Sequence, residues 1–426
     1  MGHDLRAAAT RLMAVLRRRS ETPDVTPLPV ISTWNLPGAP ATTPTEPRAG
    51  RAARIRLGKA LRALRPRFAI AYAGHNGAQY QCRMWEPYLA ASGEPYLIVT
   101  DDARAADLIR RISTAPLILL AEPRRSDLEL VLPRTVRAAF YVQNSKRNRP
   151  FLKLKQITHV WLNHGDSDKP ANFRKTHADY DRIVTCGEAG VERYAAHGIV
   201  IARDRFDILG RPQISDIVDG PRPGGMPPTV LYAPTWRGIS PRNDYTSVPL
   251  APQLIAALLE RELTVIFRGH PFSAKRSEDQ RSIAEAHRLL ADDRERSGRQ
   301  HVWGAAAERE RSLADCVNLA DAMIADVTGA VTDFLASGRP YAMMAMSEPD
   351  IESFRVAFPI SRSAYVIERS LANLDLVLDD LLITDPLADY RAERRRYYLG
   401  PLTGQESAVA VADYVRRLAR GRLPVG

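Results

Sequence analysis

The sequence predicts an α/β protein of two Rossmann-like domains facing one central cleft, preceded by a basic helical N-terminal extension. Three observations carry this. Short apolar, β-branched runs alternate with amphipathic segments from residue 67 to about residue 400, the pattern of βαβ units around parallel sheets. The stretch "GPRPGGMPP" at 220–228 splits those runs into two sets and has the composition of an interdomain hinge. A chain of 426 residues, 45% of them hydrophobic, is also too long for one ordinary core and suits two. The expected units are an extension at 1–66, a first domain at 67–219, a second at 220–400 and a return helix within 401–426.

In the extension, residues 5–19 and 51–65 read as arginine-bearing helices with apolar stripes, Leu5, Leu12 and Leu16 in one, Ile55, Leu61 and Leu64 in the other. Between them, "TPDVTPLPVISTWNLPGAPATTPTEP" holds too much proline for helix or strand and reads as a linker with Trp34 stranded in it. Residues 1–67 carry thirteen basic side chains against four acidic ones, so +9 of the net +11 lies there. Cationic amphipathic helices settle on anionic membranes, at roughly 1 kcal/mol per Lys or Arg near the surface. Aromatics are not interleaved with these arginines, which argues for a membrane surface and against nucleic acid as the partner.

No apolar run approaches the ~20 residues that span a bilayer, and the run from Leu12 to Leu16 is too short and wrongly flanked for a secretory signal. The three cysteines, Cys82, Cys186 and Cys316, are far apart and suggest neither a disulfide framework nor a zinc knuckle. The expected location is cytoplasmic, peripheral on the inner face of the cell membrane.

Seven strands are expected in the first domain, in "FAIAYAG", "PYLIVTD", "PLILLAE", "AAFYVQN", "THVWLNHG", "RIVTCG" and "FDILG". Five follow in the second, in "TVLYAPTW", "LTVIFRGH", "DAMIADV", "YAMMAM" and "AYVIE", with a helix at 277–291 between them. The final helix, about 404–420, is expected to pack back on the first domain.

Open α/β sheets bind ligands at the carboxyl ends of their strands, so the chemistry there defines the candidate site. "VWLNHGDSDK" ends a strand in His164, whose ordinary pKa of about 6.5 suits proton abstraction at neutral pH. Gly165 would let the backbone turn sharply or approach a ligand, and Asp166, Asp168 and Lys169 follow it. A lone loop histidine is more often a surface or capping residue. "VIFRGHPF", however, puts Arg268 and His270 at a strand end of the other domain, and guanidinium suits bidentate phosphate contact. Histidines on both sides of one cleft argue against coincidence.

"MIADVTGAVTDFLASGRP" reads as a strand, then Asp326, then Thr328-Gly329 opening a helix to about residue 337. Free backbone N–H groups at such a start attract phosphate. Asp333, early in that helix, suits the dipole and fits a structural or a ligand role equally. "LYAPTWRG" brings Arg237 within reach of a phosphate and Trp236 as packing, while Arg211 in "LGRPQISD" serves the cleft or only the hinge.

Together these segments resemble the CDP-glycerol glycerophosphotransferase family, the teichoic-acid primases and polymerases. The resemblance rests on five motifs in order: "HGDSDK" at the family's His-Gly-x-x-x-Lys position, "LGRPQISD", "YAPTWR", "RGHPF", and "ADVTGAVTDF" at its Asp-x-Ser-Ser-x-x-x-Asp position. They cover about 164–334. The resemblance implies a GT-B fold and transfer of a polyol phosphate from a CDP-activated donor, CDP-glycerol first, to a hydroxyl of a lipid-linked or polymer acceptor, with release of CMP. It implies His164 as general base, His270 with Arg268 stabilising the donor pyrophosphate, and Thr328 and Gly329 holding phosphate. The matching motifs contain no Asp-rich metal cluster, so a mechanism without metal or other cofactor is expected.

The chain departs from the family pattern twice. Thr328-Gly329 stands where a double serine is usual, and "HGDSDK" is more acidic than the common His-Gly-Thr-Pro form. Asp166 and Asp168 would then bind acceptor hydroxyls or raise the pKa of His164, and the transferred group would be glycerol phosphate, ribitol phosphate or a sugar phosphate. The competing readings are a GT-B glycosyltransferase using a UDP- or GDP-sugar and a silent membrane-binding module.

Overall fold

The structure is a computed structural model that describes residues 51–73, 80–120, 123–163, 165–222, 228–238 and 243–421. The helix read at 5–19, the proline-rich linker and His164 lie outside the described residues.

Two all-parallel sheets organise the chain. The first contains β1 (Phe68–Tyr72), β2 (Tyr96–Thr100), β3 (Leu117–Leu119), β4 (Ala138–Tyr141), β5 (Thr158–Trp161), β6 (Arg182–Thr185) and β7 (Phe206–Ile208), in the order β3-β2-β1-β4-β5-β6-β7. The second contains β8 (Thr229–Ala233), β9 (Thr264–Phe267), β10 (Val302–Trp303), β11 (Ala322–Ala325), β12 (Tyr341–Ala345) and β13 (Tyr365–Glu368), in the order β10-β9-β8-β11-β12-β13. Strands covered on both faces read as continuous apolar runs, and β1, β4, β8, β9, β11 and β12 are buried at every position. Each of the twelve strand segments read from sequence contains an observed strand. The two-residue edge strand β10 escaped because it is too short to carry a pattern.

Strand order reverses between β1 and β4 in one sheet and between β8 and β11 in the other. Those switch points open the crevices in which α/β sheets hold ligands.

The helix Arg51–Leu64 corrects the expected extension. Leu57 and Leu61 are buried in the first domain's core, and Arg54 Nη1 lies 2.7 Å from Asp127 Oδ1 on the helix Arg125–Val131. Gly58 permits this approach, since a Cβ there would sit 2.6 Å from the Leu130 carbonyl oxygen. The apolar face assigned to a membrane is therefore spent on the protein; only Ile55 of the expected stripe is exposed.

The last helix, Gly404–Ala419, begins with a capping box in which Thr403 and Glu406 satisfy each other's backbone N–H groups. Val411, Tyr414, Val415 and Leu418 then join Phe68, Ile70 and Phe140 in one buried cluster, and Tyr414 Oη donates to Asp207 Oδ2 at 2.7 Å. The chain thus crosses between the two sheets once before β8 and once again before this helix.

Candidate active site

The loop after β5 begins at Asn163, which takes the sharp turn itself with φ +61°, a conformation asparagine tolerates better than most residues. Trp85 Nε1 donates to its carbonyl oxygen at 2.6 Å and fixes the turn. Gly165, expected to supply that turn, has open space where a Cβ would project.

The next residues bind the two domains together. Arg193, on the helix Glu188–Ala196, donates through Nη1 to Asp166 Oδ1 at 2.5 Å and through Nε to Asp168 Oδ1 at 3.1 Å. Asp168 Oδ2 accepts the Ile360 N–H at 3.0 Å, and the Asp166 carbonyl accepts from Thr332 Oγ1 at 3.0 Å. A Cβ on Gly329 would lie 3.4 Å from that same carbonyl and 3.9 Å from the Gly165 Cα, so the two motif loops touch. Arg211 forms a bidentate ion pair with Asp333, with Nη2 3.0 Å from Oδ2.

Three site readings change or narrow here. Asp168 is a buried partner of Arg193 and of the Ile360 N–H rather than a free acceptor ligand, while Asp166 is tied to Arg193 through Oδ1 alone. Asp333 is committed to Arg211 rather than to donor phosphate, and Arg211 is a clamp at the seam. Sequence reading missed Arg193, because a single arginine in an amphipathic helix carries no local signal.

Lys169 crosses the seam. Its ammonium donates to Thr235 Oγ1, just past β8, at 2.9 Å and lies 5.5 Å from the centroid of the Tyr245 ring. Burial pushes its pKa down to about 8 against the opposing attraction of Asp326. Asp326, expected as a supporting residue, is fully buried and accepts the Thr235 N–H at 2.6 Å and the Ser247 N–H at 3.1 Å. Burial pushes that carboxyl up to about 7, opposed by those hydrogen bonds and by Lys169. Each group is partly starved of its counter-charge.

His270 sits beside this pair. Its Nδ1 accepts the Phe272 N–H at 3.1 Å, which leaves the proton on Nε2. The ring stacks on Trp236, centroids 6.0 Å apart, and Lys275 Nζ lies 3.8 Å from the centroid of Phe272. Burial, then the charges of Lys169 and Lys275, hold the imidazole down at about 4. His270 is therefore a neutral N–H donor at physiological pH. Lys275, five residues beyond His270 in the same loop, was legible but not read. Thr328 caps the helix Gly329–Leu335 without spending its hydroxyl on the cap, and both Thr328 and Gly329 stay half-exposed.

The two arginines expected on phosphate have partners within the protein. Arg268 donates through Nη1 to the carbonyls of Ala307 and Arg311. Arg237 bridges Asp279, at 3.0 and 3.1 Å, and Asp244, at 3.1 Å, bracing its loop against the helix Ser277–Ser297. Among the described residues no group of three or more His, Cys, Asp or Glu is placed to hold a metal ion. None of the described helices is long and apolar enough to cross a membrane.

Residues 221–357 match the sequence model of the family described as CDP-glycerol:poly(glycerophosphate) glycerophosphotransferase. No curated protein matches the chain. Among solved structures, the wall teichoic acid polymerase TagF matches with a TM-score of 0.51 at 11% identity, covering 87% of this chain and 94% of that one. A TagF variant soaked with CDPG gives 0.50 at 11% identity over the same shares. MurG of Acinetobacter baumannii gives 0.50 at 11% identity, covering 81% of this chain and 99% of that one. At such identities the likeness carries the fold, which is GT-B. The second domain accordingly carries the match to the CDP-glycerol:poly(glycerophosphate) glycerophosphotransferase family, the family that the five motifs resemble.

Proposed function

We propose that this protein transfers a polyol phosphate, glycerol phosphate in the first instance, from a CDP-activated donor to a hydroxyl of a membrane-linked acceptor and releases CMP. The observation that carries this is the cluster at the switch point of the second sheet. Lys169, Lys275 and the His270 N–H gather there, and the half-exposed Thr328 follows β11 of the same sheet. Attack at the phosphorus bearing the polyol needs little covalent help from protein; it needs positioning and a counterweight to charge on the departing nucleotide. The two ammonium groups and the imidazole N–H supply that counterweight without requiring a cofactor. His164, by the resemblance, takes the proton from the attacking hydroxyl. The family match over 221–357 supports a CDP-linked donor.

Incubation with CDP-glycerol, CDP-ribitol and CDP-sugars, followed by product mass determination, tests the reading. CMP release with a mass gain of one polyol phosphate on the acceptor is expected. Release of UDP or GDP from nucleotide sugars would replace this reading with the glycosyltransferase one.

The pH profile gives a second test. Lys169 titrates at about 8 in the folded protein, below its ordinary value, so its charge is present below that pH and lost above it. The kcat/KM for donor, which reports the free enzyme, should fall as pH rises through 8. In Lys169→Arg that alkaline limb should vanish, because guanidinium stays charged. A base such as His164 sets the acid limb; a flat profile from pH 5 to 8 would point to another base.

Association with the inner face of the membrane is assigned to the five arginines from Arg6 to Arg19. Deleting residues 1–50 should release the protein from anionic liposomes at low salt, as measured by co-sedimentation. Unchanged binding would move the membrane contact elsewhere on the protein.

A further inference from the structure

Beside Asn163 and Gly165, the first domain holds a partly open cavity of about 20 Å³. Five side-chain atoms of residues lining it have no partner in the protein: Asp166 Oδ2, Asn172 Oδ1, Thr185 Oγ1, Arg193 Nη2 and Gln213 Oε1. The first four residues are no more than 9% exposed. Buried polar groups are almost always hydrogen-bonded, so such a concentration of unmet ones points to a guest.

The chemistry of the guest follows from which atoms are spent. Asn172 Nδ2 donates to the Ser167 carbonyl at 2.9 Å and to Ser167 Oγ at 2.6 Å, and Gln213 Nε2 donates to the Met84 carbonyl at 3.3 Å. Both amide oxygens are thereby left over as acceptors. The cavity offers three acceptors, one guanidinium donor and the Thr185 hydroxyl, which does either. A hydroxyl group both donates and accepts and fits this set. A phosphate does not, since Arg193 is already shared by the carboxylates of Asp166 and Asp168. The volume holds one hydroxyl-sized group, about what one water needs. Asn163 and Gly165, at the strand end that carries the proposed base, also line it.

We propose that this cavity is a specificity subsite for the acceptor. It holds the hydroxyl next to the one that attacks, and so selects a vicinal diol, as at the end of a glycerol chain, over a simple alcohol. The proposal rests on the transferase reading for the acceptor's role, but its test is a binding measurement. Thr185→Val keeps the shape that packs beside Gly190 and removes the hydroxyl; Gln213→Met removes an acceptor from the less buried side.

The probes are glycerol 1-phosphate and 1,3-propanediol phosphate, titrated into the full chain by calorimetry or ligand-observed NMR. Wild type is expected to bind the diol-bearing probe about tenfold more tightly. Each variant, checked for an unchanged melting temperature, should lose most of that preference while binding the propanediol probe as wild type does. Equal binding of both probes by wild type, a preference that survives in both variants, or a soaked crystal showing water alone in the cavity would overturn the subsite. CMP release from CDP-glycerol is scored separately. Its absence alongside a preserved diol preference would retire the transferase reading and leave the polyol site supported.

Discussion

Lys169→Met should lower kcat/KM for the donor by about 10²–10³-fold, the usual loss when one preorganised electrostatic contact to a developing charge is removed. The ammonium reaches across the seam to Thr235 at 2.9 Å, and Asp326 is too far to form an ion pair yet near enough to feel its charge. A depressed pKa means that the free protein keeps this cation incompletely compensated, which is the state in which an incoming diphosphate gains most from it. Methionine fills a similar volume. Asp326, left without Lys169, moves further above 7 and stays protonated, still accepting the Thr235 and Ser247 N–H groups. The fold should therefore survive, with a melting temperature close to wild type. Lys169→Arg should recover part of the rate. A Lys169→Met enzyme within threefold of wild type would remove Lys169 from the donor site.

The largest loss of stability is expected from Arg193→Met. One guanidinium compensates two buried carboxylates, and removing a partner from such an arrangement costs about 3–5 kcal/mol because the remaining charges have no solvent to turn to. Asp168 also receives the Ile360 N–H, so the damage should reach the junction of the domains as well as the first domain. Thermal melting followed by intrinsic fluorescence checks this, Trp85 and Trp161 reporting on the first domain's core. Combining Arg193→Met with Asp166→Asn and Asp168→Asn should restore much of the loss, since neutral amides no longer need the cation. No recovery in the triple variant would mean that packing rather than charge dominates at Arg193.

The alternation of apolar runs was enough to locate every strand but β10 among the described residues, because a buried parallel strand must be continuously apolar to cover both faces. The motifs were legible as strand ends for the same reason. Their partners were not. Nothing local to "HGDSDK" announces that Asp166 and Asp168 answer to an arginine some twenty-five residues on, or that Arg211 and Asp333 meet across 122 residues. Ion pairs of long sequence separation are products of topology. The same gap explains Arg237 and Arg268: guanidinium suits phosphate, but it suits carboxylates and carbonyl oxygens equally, and only the folded chain decides which it meets. Leu61 went astray differently, since an apolar stripe beneath arginines looks alike whether it lies on lipid or on another helix.

The helix Gly404–Ala419 belongs by sequence to the end of the chain and by packing to its beginning, so two covalent straps join the halves. Any relative motion of the two halves is thereby limited to what both crossings allow. Trimming the last strap would strip the cover from Phe68, Ile70 and Phe140, so the front half expressed without it should precipitate.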